Sequence, residues 1–416
     1  MGRRSAVAGF ARTGPGRLSL LTLGLVLLSV LAGFVLSSTA SKQTTQLSTL
    51  TGRTEALAGA AQDLYSALSE ADAAAASAFL AGGLEPAALR ERYTRSINTA
   101  AASLGAAAAG TGTDTTGRLS LAQLSTQLPV YTGLIETARA NNQQGFPVGS
   151  AYLREASTLM QSTLLPAANQ LYQDYSAAST RQSHLPRLPW LGLALGLVAL
   201  AALVTAQLYV RRRTRRSLNV GLALATLAIF VAMCWAGAAS AVAAARVDAG
   251  RSGGAEPLAL LAQSRILAQQ ARADETLMLV ARSDSAGYEK SFTDTTNTLT
   301  QRLQALPKSA RSYAANTAAK GWVAAHQRLA TANDSGDYSG AVTVALGSAG
   351  QDSAAQFVAL DNALRDGIVG SREVLRDKAS AAQSALSGLS PGVLVLSLFA
   401  AAGVAAGMWP RLREYQ

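Results

Sequence analysis

Leu18–Leu36 reads LSLLTLGLVLLSVLAGFVL and contains no ionisable residue. Crossing about 30 Å of hydrocarbon takes about 20 helical residues at roughly 1.5 Å each, and this run meets that requirement. A second run extends from Leu188 to Val210, with Trp190 and Tyr209 near its ends, where amphipathic rings favour the membrane interface. A third runs from Leu218 to Ala243, and a fourth, the shortest, from Val393 to Trp409 behind Pro391. Buried core helices of a soluble protein are the alternative reading, but uncharged runs of this length are better explained by lipid.

Composition points the same way. Hydrophobic residues make up 49% of the 416 and charged residues only 15%, against about 25% charged in typical globular chains. Abundant alanine with only 6% aromatics suits long helices packed through small side chains. No run of alternating β-branched residues predicts a strand. The expected fold class is an all-α membrane protein: four transmembrane helices and two extracellular four-helix bundles arising from an internal duplication.

The net charge of +11 is concentrated in short pieces beside the spans. Arg3, Arg4, Arg12 and Arg17 precede the first; Arg211, Arg212, Arg213, Arg215 and Arg216 join the second to the third; Arg411 and Arg413 follow the fourth. The long polar segments, 38–187 and 244–390, are each nearly neutral. This is an orientation signal, and it excludes a nucleic-acid surface as the reason for the charge. Short basic segments stay inside, so a multi-pass plasma-membrane protein with both termini cytoplasmic is expected. Its predicted order is a tail (1–17), a span (18–37), a bundle (38–186), a span (187–210), the Arg loop (211–217), a span (218–243), a second bundle (244–390), a span (391–409) and a tail (410–416). The first span could instead be a signal peptide, with Ser38-Thr39-Ala40 as its cleavage site. It is longer than the usual 7–15 apolar residues, and the repeat supplies an uncleaved counterpart, so a retained anchor is expected.

The spans start about 200 positions apart in pairs, and details between them align too. Ala71-Asp72 matches Ala273-Asp274 at an offset of 202, and Ala140-Asn141-Asn142 matches Ala332-Asn333-Asp334 at an offset of 192. Helix breakers cut each polar segment into four: Gly82-Gly83, Gly110 to Gly117 and Gly145-Phe146-Pro147 in the first copy; Ser283 to Gly287, Pro307 and Asn333 to Gly336 in the second. An up-down-up-down bundle follows. In the first copy Leu47, Leu50, Thr54, Leu57, Ala61, Leu64, Leu68, Ala71, Ala75 and Ala78 form a heptad seam. Nothing from Leu18 to Ala81 forces a break, so span and bundle helix are expected to form one rod, able to carry a piston shift or rotation.

No catalytic constellation appears. Phosphate loop, HExxH pair and nucleophile elbow are all missing. The lone Cys234 and two isolated histidines offer no metal site, and no cofactor is expected. The inside pieces total only about thirty residues, too few for a folded enzymatic or relay domain. The chain is therefore expected not to be an enzyme. Asp72 and Asp274 lie just beside the seam; they could form equivalent ligand or partner surfaces, or be solvated flanks or ion pairs with Arg272, Arg92 or Arg95. Arg90, Arg92 and Arg95 could receive a carboxylate ligand or be a solvated face. Gly192xxxGly196 and Gly403xxxGly407 allow close helix approach, holding the four spans together or mediating homodimerisation. The Arg loop is explained by orientation alone, or could hold anionic lipid or a cytoplasmic partner. His326, Trp322 and Tyr313 read as core packing, and Cys234 as a small apolar filler. A transporter is disfavoured, because the spans contain no ionisable residue to mark a path; an envelope scaffold without switching is the main rival to a transducer.

LYSALSEADAAAASAFLAGG (Leu64 to Gly83) and ILAQQARADETLMLVARSDS (Ile266 to Ser285) look like the first helix of chemoreceptor-type four-helix-bundle sensor domains. With the duplicated four-span layout, the chain resembles the GlnX-type membrane proteins of actinobacteria over nearly its full length. That resemblance implies an extracellular glutamate-binding lipoprotein (GlnH) and the cytosolic Ser/Thr kinase PknG as partners. Together they would report glutamate or aspartate to central metabolism. No ligand residues are carried over from it.

Overall fold

The computed structural model describes residues 14–49, 55–81, 85–110, 115–182, 190–214, 219–281 and 285–413. Among them the regular elements are all helical, and no strand occurs. In chain order they are α1 (Gly14–Thr49), α2 (Glu55–Leu80), α3 (Ala87–Gly110), α4 (Thr115–Gln143), α5 (Val148–Leu159), a π turn (Met160–Leu164) and α6 (Leu165–Gln182). Then come α7 (Trp190–Thr214), α8 (Val220–Gly250), a second π turn (Arg251–Ala255) and α9 (Glu256–Ala281). The remainder are α10 (Ala286–Gln304), α11 (Ala310–Asp334), α12 (Tyr338–Leu346), α13 (Ser353–Leu386) and α14 (Leu389–Arg413). Contacts divide the chain into two compact units: Met1–Thr49, His184–Ala249 and Asp377–Gln416 make one, and Leu50–Ser183 with Gly250–Arg376 the other.

The first unit contains the membrane-crossing segments. Among the described residues, four helices are long and apolar enough to span. Along α1, Leu18, Leu25, Ala32 and Leu36 are buried, whereas Leu20, Leu23, Leu27, Leu31 and Phe34 are exposed. A soluble helix hides its apolar face; here the exposed face is apolar too, which only a lipid solvent makes stable. α1 packs on α14 and α7, around a core that includes Leu25, Leu203, Leu222, Ile229 and Val404. Polar groups pair between helices, as the absence of water in hydrocarbon demands. The hydroxyls of Ser37 and Ser41 each lie 2.8 Å from that of Ser390, Gln207 Nε2 donates to Thr226 Oγ1 at 2.8 Å, and Asn219 Nδ2 donates to the Gly407 carbonyl at 2.6 Å. Cys234 is exposed on α8. Between α13 and α14 the chain turns at Gly388, whose φ of +76° an L side chain rarely adopts.

The second unit holds both bundles. α2 to α6 make the first, in four helical rods, and α9 to α13 the second. The seam forms as expected from Ala61 onward, where Ala61, Leu64, Leu68, Ala71, Ala75 and Ala78 are all buried, while Leu57 is only partly buried. Its beginning, including Leu50 and Thr54, lies outside the described residues, as does the junction of the rod expected from Leu18 to Ala81. In the second half the chain is helical from Val220 to Ala281, through the π turn. Each π turn ends two residues before a proline, Pro166 or Pro257. A proline inside a helix has no N–H and its ring crowds the carbonyl four residues back; widening the preceding turn lets the rod continue.

Two helix ends repeat closely. Gly145 (φ +73°) and Gly336 (φ +82°) both follow a helix that runs across a bundle. Gly145 N–H donates to Asn142 O and Phe146 N–H to Asn141 O; Gly336 N–H donates to Asn333 O and Asp337 N–H to Ala332 O. These are two Schellman stops of one pattern. Their register is an offset of 191, one less than the 192 that aligns the Asn residues by identity. The last rod of the second bundle also departs from expectation. It is interrupted after Leu346, leaving α12 as a short helix capped by Asp337, whose carboxylate accepts from Gly340 N–H at 2.9 Å.

Candidate functional site

α2 is buried on more than its seam: Gln62, Ser66 and Ser69 are buried as well. The reason is α9, which packs against it. Ala262 and Ile266 of α9 join the core of the first bundle. Arg265 Nη1 donates to Ser66 Oγ at 3.0 Å, and Arg372 Nη2 to Gln62 Oε1 at 3.1 Å. The two bundles therefore share an interface built on the first helix of each.

Asp72 is only 2% exposed, so the solvated-flank reading is wrong for it, and none of the arginines suggested as its ion-pair partners touches it. Its Oδ1 accepts from Tyr131 Oη at 3.2 Å and from Ser157 Oγ at 3.0 Å. Burial pushes its carboxyl up to about 6, with the Ser157 and Tyr131 hydrogen bonds pulling the other way. The same burial, reinforced by the Asp72 charge, holds the Tyr131 phenol well above its usual range.

In the second bundle the matching place belongs to Glu275, not to its neighbour Asp274. Glu275 is fully enclosed, accepting from Ser353 Oγ at 2.6 and 2.7 Å and from Trp322 Nε1 at 3.4 Å. Trp322 stands 191 positions after Tyr131, the same register as the two Schellman stops. This carboxylate is compensated. Arg272 Nη1 pairs with it and His326 Nδ1 lies 3.1 Å away. Burial raises the Glu275 carboxyl, but Arg272, His326 and Ser353 together outweigh it and the net direction is down. His326 stacks on Phe292 with ring centroids 3.5 Å apart, and its Nε2 reaches Glu289 at 3.1 Å. Trp322 meets Phe292 and Phe357 edge-on, each at 5.2 Å. His326 and Trp322 are thus buried as expected, but as members of a polar network; Tyr313, at 62% exposed, is not core.

Asp274 also leaves the solvated-flank reading behind, at 8% exposed, and no arginine pairs with it among the described residues. It accepts from Ser291 Oγ at 2.6 Å, and burial pushes its carboxyl up to about 6. It borders an open cavity of about 390 Å³ between α2, the first π turn and α6 on one side and α9 and α10 on the other. Polar groups dominate its wall: Tyr65, Gln161, Asn169, Gln270 and Ser291 accompany Asp274. The Tyr65 hydroxyl is buried and makes no hydrogen bond of normal geometry, although Gln270 and Ser69 stand near it.

Arg90, Arg92 and Arg95 do not converge. Arg92 Nε meets Glu70 at 2.9 Å, Arg95 Nη2 meets Glu91 at 2.6 Å, and Arg90 lies 3.6 Å from Glu85. The glycines sit at interhelical contacts. A Cβ on Gly192 would stand 2.8 Å from Leu36 Cδ1, and one on Gly196 2.9 Å from Met233 Sδ. Gly403 and Gly407 face Gly221, where an added Cβ would lie 2.5 Å from Gly403 O and Gly407 Cα. Arg211 and Arg212 are exposed; Arg215, Arg216 and the side chain of Arg213 lie outside the described residues. Glu275 and Tyr65 were not singled out by sequence, and Arg272 was suggested only as a partner for Asp72 or Asp274, whereas it pairs with Glu275. The available signal for the first was Trp322 and His326, one helical turn apart on a face that needs a polar partner.

No curated protein and no solved structure matches the chain. Residues 46–184, which contain the first bundle, match the family model described as an actinobacterial sensor domain, a match that supports a sensing role for the protein.

Proposed function

We propose that this chain is a non-enzymatic transmembrane signal transducer, whose bundle unit lies outside the cell and responds to an extracellular amino-acid signal. The sensor-domain match over 46–184 carries the reading. The interface of α2 with α9 supports it: a change imposed on one bundle meets the other through Ser66–Arg265 and Gln62–Arg372. In this reading the two bundles descend from one duplicated unit, and a solute-binding lipoprotein reporting glutamate or aspartate docks on them. The basic segments face the cytoplasm and pass the change to a Ser/Thr kinase. A ligand-loaded partner can shift the helices only by binding one arrangement of them more tightly than another.

Crosslinking in cells with a tagged chain, with and without external glutamate or aspartate, tests the relay. Recovery of a solute-binding lipoprotein and a kinase, in amounts that change with the amino acid, is expected. Recovery of neither would overturn it, and recovery indifferent to the amino acid would favour an envelope scaffold.

A further inference from the structure

The cavity between the bundles has a chemistry of its own. Four buried or half-buried carboxylates of this unit are matched by an arginine: Glu275 by Arg272, Asp361 by Arg265, Glu85 by Arg139 and Glu70 by Arg92. Asp72 lacks one but is sealed between its own helices, with two hydroxyl donors. Asp274 alone combines burial, a single hydroxyl donor at 2.6 Å and a place on the wall of an open cavity. Among the described residues no lysine or arginine lines that cavity. A carboxylate taken out of water without a cation is costly, and a positive group entering the cavity would remove that cost.

The remaining wall suits a small polar molecule. Tyr65, 1% exposed, lines the cavity beside the carboxamide residues Gln161, Asn169 and Gln270. About 390 Å³ falls within the range of small-molecule sites, roughly 300–1,000 Å³. We propose that this cavity binds a small organic ammonium, its charge on Asp274 and its polar body among Tyr65 and the neighbouring carboxamides. An acidic ligand would face Asp274 with no compensating cation, so acidic amino acids are not its ligands. The proposal stands on the cavity alone and holds whichever partner the chain serves.

Isothermal titration of the full chain in nanodiscs tests it, using L-alaninamide (an ammonium with a carboxamide), L-glutamate and acetamide as probes. L-Alaninamide is expected to bind, at least tenfold more weakly to Asp274→Asn. Gln161→Lys, which brings a competing ammonium to the wall, is expected to abolish binding without touching Asp274. Glutamate and acetamide should neither bind nor compete. No binding of L-alaninamide to the unaltered chain at about 10 mM, well above the millimolar affinity of a weak specific site, would overturn the proposal. So would equal binding to both variants, or tighter binding of glutamate. Either failure leaves the crosslinking result for the partners unaffected.

Discussion

Asp72 and Glu275 hold the same station in the two bundles, each on the first helix, each accepting from an aromatic donor on the third and a serine on the fourth. Their charge environments are opposite. Asp72 has hydroxyl donors alone, whereas Glu275 has Arg272 as well. The two carboxyls should therefore respond to pH in opposite senses.

For Asp72, a carboxyl moved from 3.8 to about 6 corresponds to ~3 kcal/mol of stability. The folded state holds the proton more tightly, so this stability is fully present below about pH 4 and is lost as pH rises through about 6. Asp274 acts in the same direction. Chemical denaturation of the full chain in detergent at pH 4 and pH 8 should show Asp72→Asn stabilising at pH 8 by about 1–3 kcal/mol, with a shallower dependence on pH. An unchanged pH 8 stability would refute the assignment.

Glu275 predicts the reverse. With its carboxyl held low, its contribution is present at neutral pH and lost on acidification through its folded value. Arg272→Met would leave a buried carboxylate facing only neutral donors and His326, costing about 3–5 kcal/mol at pH 7. Adding Glu275→Gln should restore much of that loss, because the uncompensated charge goes with it. A double-mutant cycle in denaturant measures the coupling; simple additivity would argue against the pair.

Close approach in the membrane unit makes a steric prediction. Gly221→Val places carbon atoms against Gly403 and Gly407 backbone, which cannot give way, whereas Gly237→Val meets nothing within 4 Å. The first should lower the thermal stability of the solubilised chain by an overpacking cost of about 1–3 kcal/mol or more. The second should be tolerated. Comparable losses in both would place the α8–α14 contact elsewhere.

The Schellman stops give the mildest test. Gly145→Ala and Gly336→Ala each force a Cβ into the left-handed region and should cost about 1–2 kcal/mol. Gly105→Ala, in a helix with open space around it, should be neutral or stabilising. Denaturation midpoints of the three variants decide it.

Much of the architecture was legible along the chain because its signals are local. Hydrocarbon thickness sets the length of Leu18–Leu36 and its three counterparts, and the three-four spacing from Ala61 to Ala78 dictates one buried stripe on α2. Glycine requirements at Gly145 and Gly336 are local as well. The site was not legible, because it depends on what covers the other side of each helix. Sequence identity paired Asp72 with Asp274, yet packing pairs it with Glu275, since the third and fourth helices of each bundle bring their donors to one side of the first. Asp72 became buried through helices that sequence adjacency does not reveal. Asp274 was left beside the cavity because α9 turns that face toward the other bundle. The neighbouring arginines, Arg90, Arg92 and Arg95, were drawn to three different carboxylates by the geometry of their helix. Periodicity along one chain segment determines which stripe is apolar; only tertiary packing decides which polar side chains lose water, and which of them gain a partner in return.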